Sequence, residues 1–473
     1  MNIILLSGGS GKRLWPLSND ARSKQFIKIL KKDNGYESMV QRVYRQIKMA
    51  DASAHVTIAT SKMQASAIRN QLNDQVDICL EPCRKDTFPA VALAAAYLHD
   101  VRKIALDEVV VVCPVDSYVE DDFFRAVTRL ANYVESDKEL ALLGITPTFP
   151  TEKYGYILTE NLSQAGEACA AFGNSGQAGE QVVKDCAVGT AGKTSGEPSQ
   201  IRKVSAYKEK PNAQEAAAYI SQGALWNGGV FAFQLGYILE KANRLLGFCD
   251  YDELRSNYEK FQKISFDYAI AEKETNMKVL PFAGEWKDIG TWNTLTEAME
   301  EPVLGKAIVS PDCKNVHVLN DLDVPVLCIG VSDVVITTSP EGILVSDKEQ
   351  SAHIKPYVEQ LSQQVMFAEK SWGDFRVLDV EDGSMTVKVT LNPGHSMNYH
   401  SHMHRDEVWT VIAGNGRTIV DGMEQPVNVG DVITMQAGCR HTVIADTELK
   451  MIEVQLGKSI SVTDKKKYQL EES

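Results

Sequence analysis

Two groups of residues in this 473-residue sequence have the types and spacing of working chemistry. The first is Ser7-Gly8-Gly9-Ser10-Gly11-Lys12-Arg13, which follows directly on the apolar run Ile3-Ile4-Leu5-Leu6. A strand running into a glycine turn with two cations presents backbone N–H groups and positive charge to a phosphate chain, so this segment points to a nucleotide. Its spacing argues against two familiar loops. Arg13 stands where G-x-x-x-x-G-K-[ST] needs a hydroxyl, and Leu14 stands where G-x-G-x-x-G needs its third glycine. The second group is histidine. Five of the nine fall between His395 and His441, and His400 and His402, two apart on a strand, would share one face.

These residues need elements to position them. The first part of the chain alternates short β-branched runs with helical patterns: Ile3 to Leu6, then Ser38 to Ile47; His55 to Ala59, then Met63 to Leu72; Ile78 to Leu80, then Pro89 to Val101. Val109 to Val112 and Leu140 to Gly144 continue the series around an amphipathic stretch at Asp121 to Val134. This is the pattern of a wound α/β sheet that binds ligands at the carboxyl ends of its strands, where the Gly8 loop lies. Residues 161–199 are rich in Gly, Ala, Ser, Gln and Glu and read as a flexible surface insertion. Short strand-like runs with turn signals over 302–358 predict a small β extension. Tyr357 to Lys370 reads as a charged helical stretch, and the glycine-punctuated strands from Phe375 to Leu456 predict a β-barrel or jelly roll. Lys465-Lys466-Lys467 reads as a solvated terminal charge run.

The predicted division is a domain over 1–300 with the 161–199 insertion, a β-rich extension over 301–365 and a barrel over 366–473. The net charge of −14 argues against a nucleic-acid or anionic-membrane surface. Nine scattered cysteines with no C-x-x-C pair suit a reducing compartment, and no 18-residue apolar run or signal-peptide core is evident, so a cytoplasmic protein is expected.

G-G-x-G-x-R-L-x-P followed by Lys24-Gln25 resembles the signature of the sugar-nucleotide pyrophosphorylases, and further motifs carry the resemblance to mannose-1-phosphate guanylyltransferases over most of residues 1–300. It implies an α/β fold, a Rossmann-like nucleotidyltransferase domain with a mixed, mainly parallel sheet. Gly8, Gly9, Gly11 and Arg13 would receive the triphosphate, with Lys24 assisting. Glu81-Pro82-Cys83-Arg84-Lys85-Asp86-Thr87 resembles the segment that helps form the guanine pocket, which implicates Glu81, Arg84 and Thr87. Asp116 in Pro114-Val115-Asp116 and Asp288 in Trp286-Lys287-Asp288 match the two magnesium-binding aspartates of the family, and hard oxygen donors suit Mg²⁺. On the sugar side the resemblance implicates Gly155, Glu209 and Lys210 of Glu209-Lys210-Pro211, and Asn227 of Trp226-Asn227. Ser23 stands where the family commonly has proline and Gly228 where it commonly has serine. The implied substrates are GTP and mannose 1-phosphate. The runner-up is another nucleoside triphosphate or hexose 1-phosphate.

Gly394, His400, His402, Glu407 and Gly414 fit the first cupin motif, and Gly430, Gln436, Gly438 and His441 resemble the second. The resemblance implies a C-terminal cupin barrel in which His400, His402, Glu407 and His441 hold a divalent transition metal such as Zn²⁺, Co²⁺ or Mn²⁺. Lys370-Ser371-Trp372-Gly373 and His404-Arg405-Asp406-Glu407-Val408-Trp409 resemble the type II phosphomannose isomerase domain often fused behind such a transferase. That implies interconversion of mannose 6-phosphate and fructose 6-phosphate, with Arg405 required, through the substrate phosphate. Gln436, Ala445, His400 and Val408 depart from the common pattern, and the proton-transferring base is not evident. The competing expectation is a metal-binding cupin used for binding or homo-oligomerisation.

Overall fold

The computed structural model describes residues 1–9, 12–19, 21–160, 200–361, 364–458, 460–461 and 464–469. Gly11 and the 161–199 insertion therefore lie outside the described residues.

The N-terminal part is built on a nine-stranded sheet. From edge to edge it runs Asp77–Glu81, His55–Ser61, Asn2–Ser7, Val109–Pro114, Leu225–Gln234, Leu140–Ile145, Met277–Phe282, Arg202–Lys208 and Tyr156–Thr159. All but Arg202–Lys208 and Leu225–Gln234 run the same way, which makes the sheet mixed but mainly parallel. Alternate residues of one strand feed two cores: Ile3, Leu5, Val109 and Val111 pack on one side, Ile4, Val110 and Val112 on the other. Both faces are covered, which explains why these strands read as unbroken apolar runs. Helix Met39–Ala50 starts where Ser38 and Gln41 cap each other reciprocally, an arrangement whose N-cap bond contributes about 1 kcal/mol.

The β extension pairs Val303–Leu304, His317–Asn320, Val334–Ser339 and Gly342–Asp347 in one sheet and Ala307–Val309 with Val326–Cys328 in another. The predicted charged helix at Tyr357 to Lys370 is corrected. Among the described residues of this stretch the helix is Lys355–Val358, and Phe367–Lys370 is a strand that pairs with Gly373–Glu381. Tertiary pairing wins there, because Asn70 of helix Ala65–Leu72 donates to the carbonyls of Lys370 and Gly373.

The barrel has a six-stranded and a five-stranded sheet around a separate core that includes Val389, Leu391, Trp409, Val411, Val443 and Met451. Lys466–Lys467 is a short strand against His400–Ser401 rather than a free charge run, although its side chains are exposed. Among the described residues no helix is long and apolar enough to cross a membrane.

Candidate functional site

Two sites emerge, one at the carboxyl ends of the parallel strands and one inside the barrel. Asn2–Ser7 delivers Gly8 and Gly9 to its end. Gly9 has φ +98°, a left-handed conformation that favours glycine, and an added Cβ at Gly8 or Gly9 would meet no described atom within 4 Å. Beneath it lies a buried polar network. Ser23 Oγ donates to Gly9 O at 3.1 Å and accepts from Gln64 Nε2 at 2.6 Å, while Gln25 Nε2 donates to Ser7 Oγ at 3.0 Å. The serine found where proline is common thus ties the loop down through its hydroxyl. Arg84 Nη2 reaches Gly9 O at 3.4 Å, and Arg13 is exposed at the loop's end.

Val109–Pro114 delivers Asp116, and the ribbon that pairs Ser117–Val119 with Trp286–Asp288 sets Asp288 opposite Ser117. This register brings two aspartates 172 positions apart to one point. Lys24 Nζ marks that point, 2.8 Å from Asp116 Oδ2 and 3.6 Å from Asp288 Oδ1. Burial opposes its charge, yet the two carboxylates outweigh burial and raise the Lys24 ammonium above its ordinary value.

Across a cleft of about 250 Å³ stand the sugar-side residues. Asn227 N donates to Gly155 O at 2.8 Å, which joins the start of Leu225–Gln234 to the turn before Tyr156–Thr159. A Cβ at Gly155 would lie 2.6 Å from Glu209 Oε2 and 2.7 Å from the Tyr207 hydroxyl, so only glycine fits without displacing them. Lys210 has φ +46° and pairs with Glu209 Oε1 at 2.7 Å. Burial raises the Glu209 carboxyl above its ordinary value, and Asp267 adds to the effect against Lys210.

Sequence reasoning missed Asp267. Its Oδ1 accepts from Tyr207 Oη and from Asn227 Nδ2, both at 2.7 Å, and so fixes the amide that faces the cleft. The only local signal is Ser265-Phe266-Asp267 at a helix start, which reads as a cap, and Ser265 does cap that helix. Also unforeseen is the aromatic wall of Tyr154, Trp226 and Trp286, with Tyr154 at 5.1 and 5.2 Å from the two indoles. Of the expected base-pocket residues, Glu81 accepts from Tyr258 Oη at 2.9 Å, and Thr87 Oγ1 is engaged by Phe266 N at 2.7 Å.

In the barrel His400, His402, Glu407 and His441 converge, each no more than 3% exposed. The nitrogens of His400, His402 and His441 lie within 4.8 Å of one another. Each imidazole places Nδ1 against a backbone carbonyl: His400 against Asn398, His402 against Asp464 and His441 against Cys439. That selects the tautomer with Nδ1–H and turns the Nε2 lone pair inward. His441 Nε2 is buried without a hydrogen-bond partner, 3.3 Å from Glu407 Oε2. Two acceptors facing each other in a buried place call for a cation, and three nitrogens with one carboxylate are the donor set of a transition metal. Burial pushes His402 down to about 4 and His400 down to about 2, which keeps both neutral.

Arg405 is turned into the barrel, with Nε donating to Glu407 Oε1 at 2.8 Å, Nη2 2.9 Å from His402 Nε2 and Nη1 on Ser461 O. Glu453 and Gln455 also point inward. Gln455 is opposite Glu407 and Glu453 opposite Trp409 on the paired strand. Burial, aided by Glu407, pushes Glu453 up to about 8. His395 and His404 are exposed.

A glycine-cornered cleft with paired carboxylates at the ends of a mainly parallel sheet defines a nucleotidyltransferase. The sequence pattern of the nucleotidyl transferase family matches residues 2–172 and 190–302, more than half of the chain, and the chain belongs to that family. The cupin domain pattern matches residues 387–455. Among similar proteins is a mannose-1-phosphate guanylyltransferase of Escherichia coli (strain K12), 28% identical over 98% of this chain and 96% of its own length. The xanthan biosynthesis protein XanB of Xanthomonas campestris pv. campestris is also 28% identical, with the same coverage. A crystal structure described as mannose-1-phosphate geranyltransferase from Thermus thermophilus superposes with a TM-score of 0.56 at 25% identity, over 76% of this chain and 98% of that one.

Proposed function

We propose that the chain transfers GMP from GTP to mannose 1-phosphate, giving GDP-mannose and pyrophosphate. The observation that carries this reading is the cleft in which Asp116 and Asp288, bridged by Lys24, border Gly155, Glu209 and Asn227. One side suits a metal-bound triphosphate and the other a sugar ring. The choice of guanine and mannose is supported by the Escherichia coli relative, named for that reaction and aligned along 98% of this chain.

A mannose 1-phosphate oxygen attacks the α-phosphorus of GTP, the α–β anhydride bond breaks, and pyrophosphate leaves with the electron pair. No covalent enzyme intermediate is needed, so the protein's work is alignment and charge neutralisation. Asp116 and Asp288 would hold Mg²⁺, which when bound neutralises charge on the phosphates. Gly8 and Gly9 offer backbone N–H groups, Arg13 and Lys24 offer charge, and Glu81, Arg84 and Thr87 border the base. Glu209 and Asn227 take sugar hydroxyls while Lys210 holds the sugar phosphate. Replacing Asp288 by Asn is expected to lower magnesium-dependent turnover by at least about 100-fold, read as pyrophosphate release. Undiminished turnover would contradict the assignment.

For the barrel we propose interconversion of mannose 6-phosphate and fructose 6-phosphate. His400, His402, Glu407 and His441 would hold a divalent transition metal such as Zn²⁺, Co²⁺ or Mn²⁺, which when bound polarises the open-chain carbonyl. Arg405 orients Glu407 through Oε1, and its Nη2 would have to leave His402 Nε2, the atom that would take the metal. A coupled assay tests this: activity abolished by chelator and by Arg405→Ala supports it, and persistent inactivity of metal-loaded protein contradicts it and favours a non-catalytic cupin.

A further inference from the structure

Lys24 is one of the transferase residues assigned above, and the backbone that carries it is irregular on its approach. Residues 15–19 and 21–22 form turns without a strand or α-helix, and Lys24 opens a 3₁₀ turn at Lys24–Phe26. Asn19 organises this stretch from within, because its Oδ1 accepts from Ala21 N at 2.8 Å and Arg22 N at 2.6 Å. Its other side-chain atom points away from the transferase core. Asn19 Nδ2 donates to Glu341 Oε1 at 2.7 Å and to Phe367 O at 2.9 Å.

The same Glu341 oxygen accepts from Met366 N at 2.8 Å and from Phe367 N at 3.3 Å. A single carboxylate atom therefore gathers the loop before Lys24 and the strand that enters the barrel. Neighbouring contacts repeat the pattern. Ser339 Oγ donates to Pro16 O at 2.6 Å, and Gly342 packs so closely on Trp15 that a Cβ would fall 2.5 Å from the indole. Arg22 stacks on the Phe367 ring at 4.8 Å and lies 3.7 Å from Asp321. Every one of these partners lies beyond residue 300, outside the sheet that builds the cleft.

We propose that Glu341 is a positioning residue of the transferase, holding residues 15–19 and 21–22 so that Lys24 sits between Asp116 and Asp288. The β extension thereby acts as a strap on the active site and not as a spacer between two independent units. Loss of the strap leaves the sugar side of the cleft intact, so the effect falls on turnover and spares mannose 1-phosphate binding.

The test compares full-length Glu341→Ala and Glu341→Gln in steady-state guanylyl transfer, with Tm and cupin metal content measured in parallel. This rests on the proposed transferase reaction, and wild-type protein run beside the variants separates the two: an inactive wild type would count against the reaction itself. The alanine variant is expected to lose about tenfold in kcat with KM for mannose 1-phosphate changed less than about twofold. The glutamine variant keeps an acceptor for Asn19 and Met366 and is expected to retain kcat within about twofold. Ser339→Ala, a smaller change on the same strap, is expected to lose several-fold in kcat with Tm nearly unchanged, and stands in if the alanine variant at 341 does not fold. Wild-type kcat in both Glu341→Ala and Ser339→Ala, a loss in Glu341→Gln as deep as in Glu341→Ala, or a change confined to KM would overturn the proposal.

Discussion

At the scale of single residues, the cleft depends on close approaches that leave little freedom. Gly155 faces Glu209 Oε2 and the Tyr207 hydroxyl at distances a Cβ cannot tolerate. Gly155→Ala must push Glu209 off its position, and we expect KM for mannose 1-phosphate to rise about tenfold with the fold preserved, as read by steady-state kinetics and Tm. Lys210→Ala is expected to weaken mannose 1-phosphate use in the same assay while the KM for GTP changes less. These residues were legible because their motifs are compact: Glu209-Lys210-Pro211 and Trp226-Asn227 can be recognised without the fold. Asp267 was not legible, because its importance arises from the hydrogen bonds of Tyr207 and Asn227, 60 and 40 positions away. Arg405 belongs to a recognisable motif, but its inward direction follows from the buried carboxylate of Glu407, on the strand Asp406–Ala413 that begins directly after it.

At the scale of elements, the strands of the α/β sheet could be read because each is an apolar run bounded by turn residues. The strand at Phe367–Lys370 could not, since its charged residues are held by partners on helix Ala65–Leu72. The barrel's tail is a similar case. Asp464 supplies the carbonyl to His402 Nδ1 and its carboxylate accepts from Met403 N and His404 N, so Asp464 helps set the His402 imidazole. Deleting residues 460–473 is expected to weaken metal binding about 10- to 100-fold in chelator competition, with the barrel still folded by circular dichroism. The β extension carries its own pH signature. Burial, with Lys348 beside it, pushes His317 down to about 4 from an ordinary 6.5. Above pH 6.5 the ring is neutral folded or unfolded. As pH falls toward 4, the unfolded chain takes up a proton that the folded chain refuses, so stability is lost across that window. Denaturant unfolding of His317→Gln should show a shallower loss between pH 6.5 and 4 than wild type.

At the scale of the whole molecule, the barrel core is separate from the two cores that flank the N-terminal sheet, while the strap at Glu341 and the Asn70 bonds join the parts. The chemistry of the barrel is therefore separable even though the architecture is continuous. Glu407→Gln is expected to lower metal content and isomerisation by at least about tenfold while guanylyl transfer stays within about twofold, because the described partners of its carboxylate, Arg405, Trp409, His402 and His441, all belong to the barrel. Transfer of GMP from GTP to mannose 1-phosphate is the reaction proposed for the N-terminal cleft. It is tested most directly by measuring pyrophosphate release for the full-length protein with Mg²⁺, over four nucleoside triphosphates crossed with several hexose 1-phosphates. The highest kcat/KM is expected for GTP with mannose 1-phosphate, falling at least about tenfold for every other pair; a higher kcat/KM for another pair, or no release with any, would contradict the assignment.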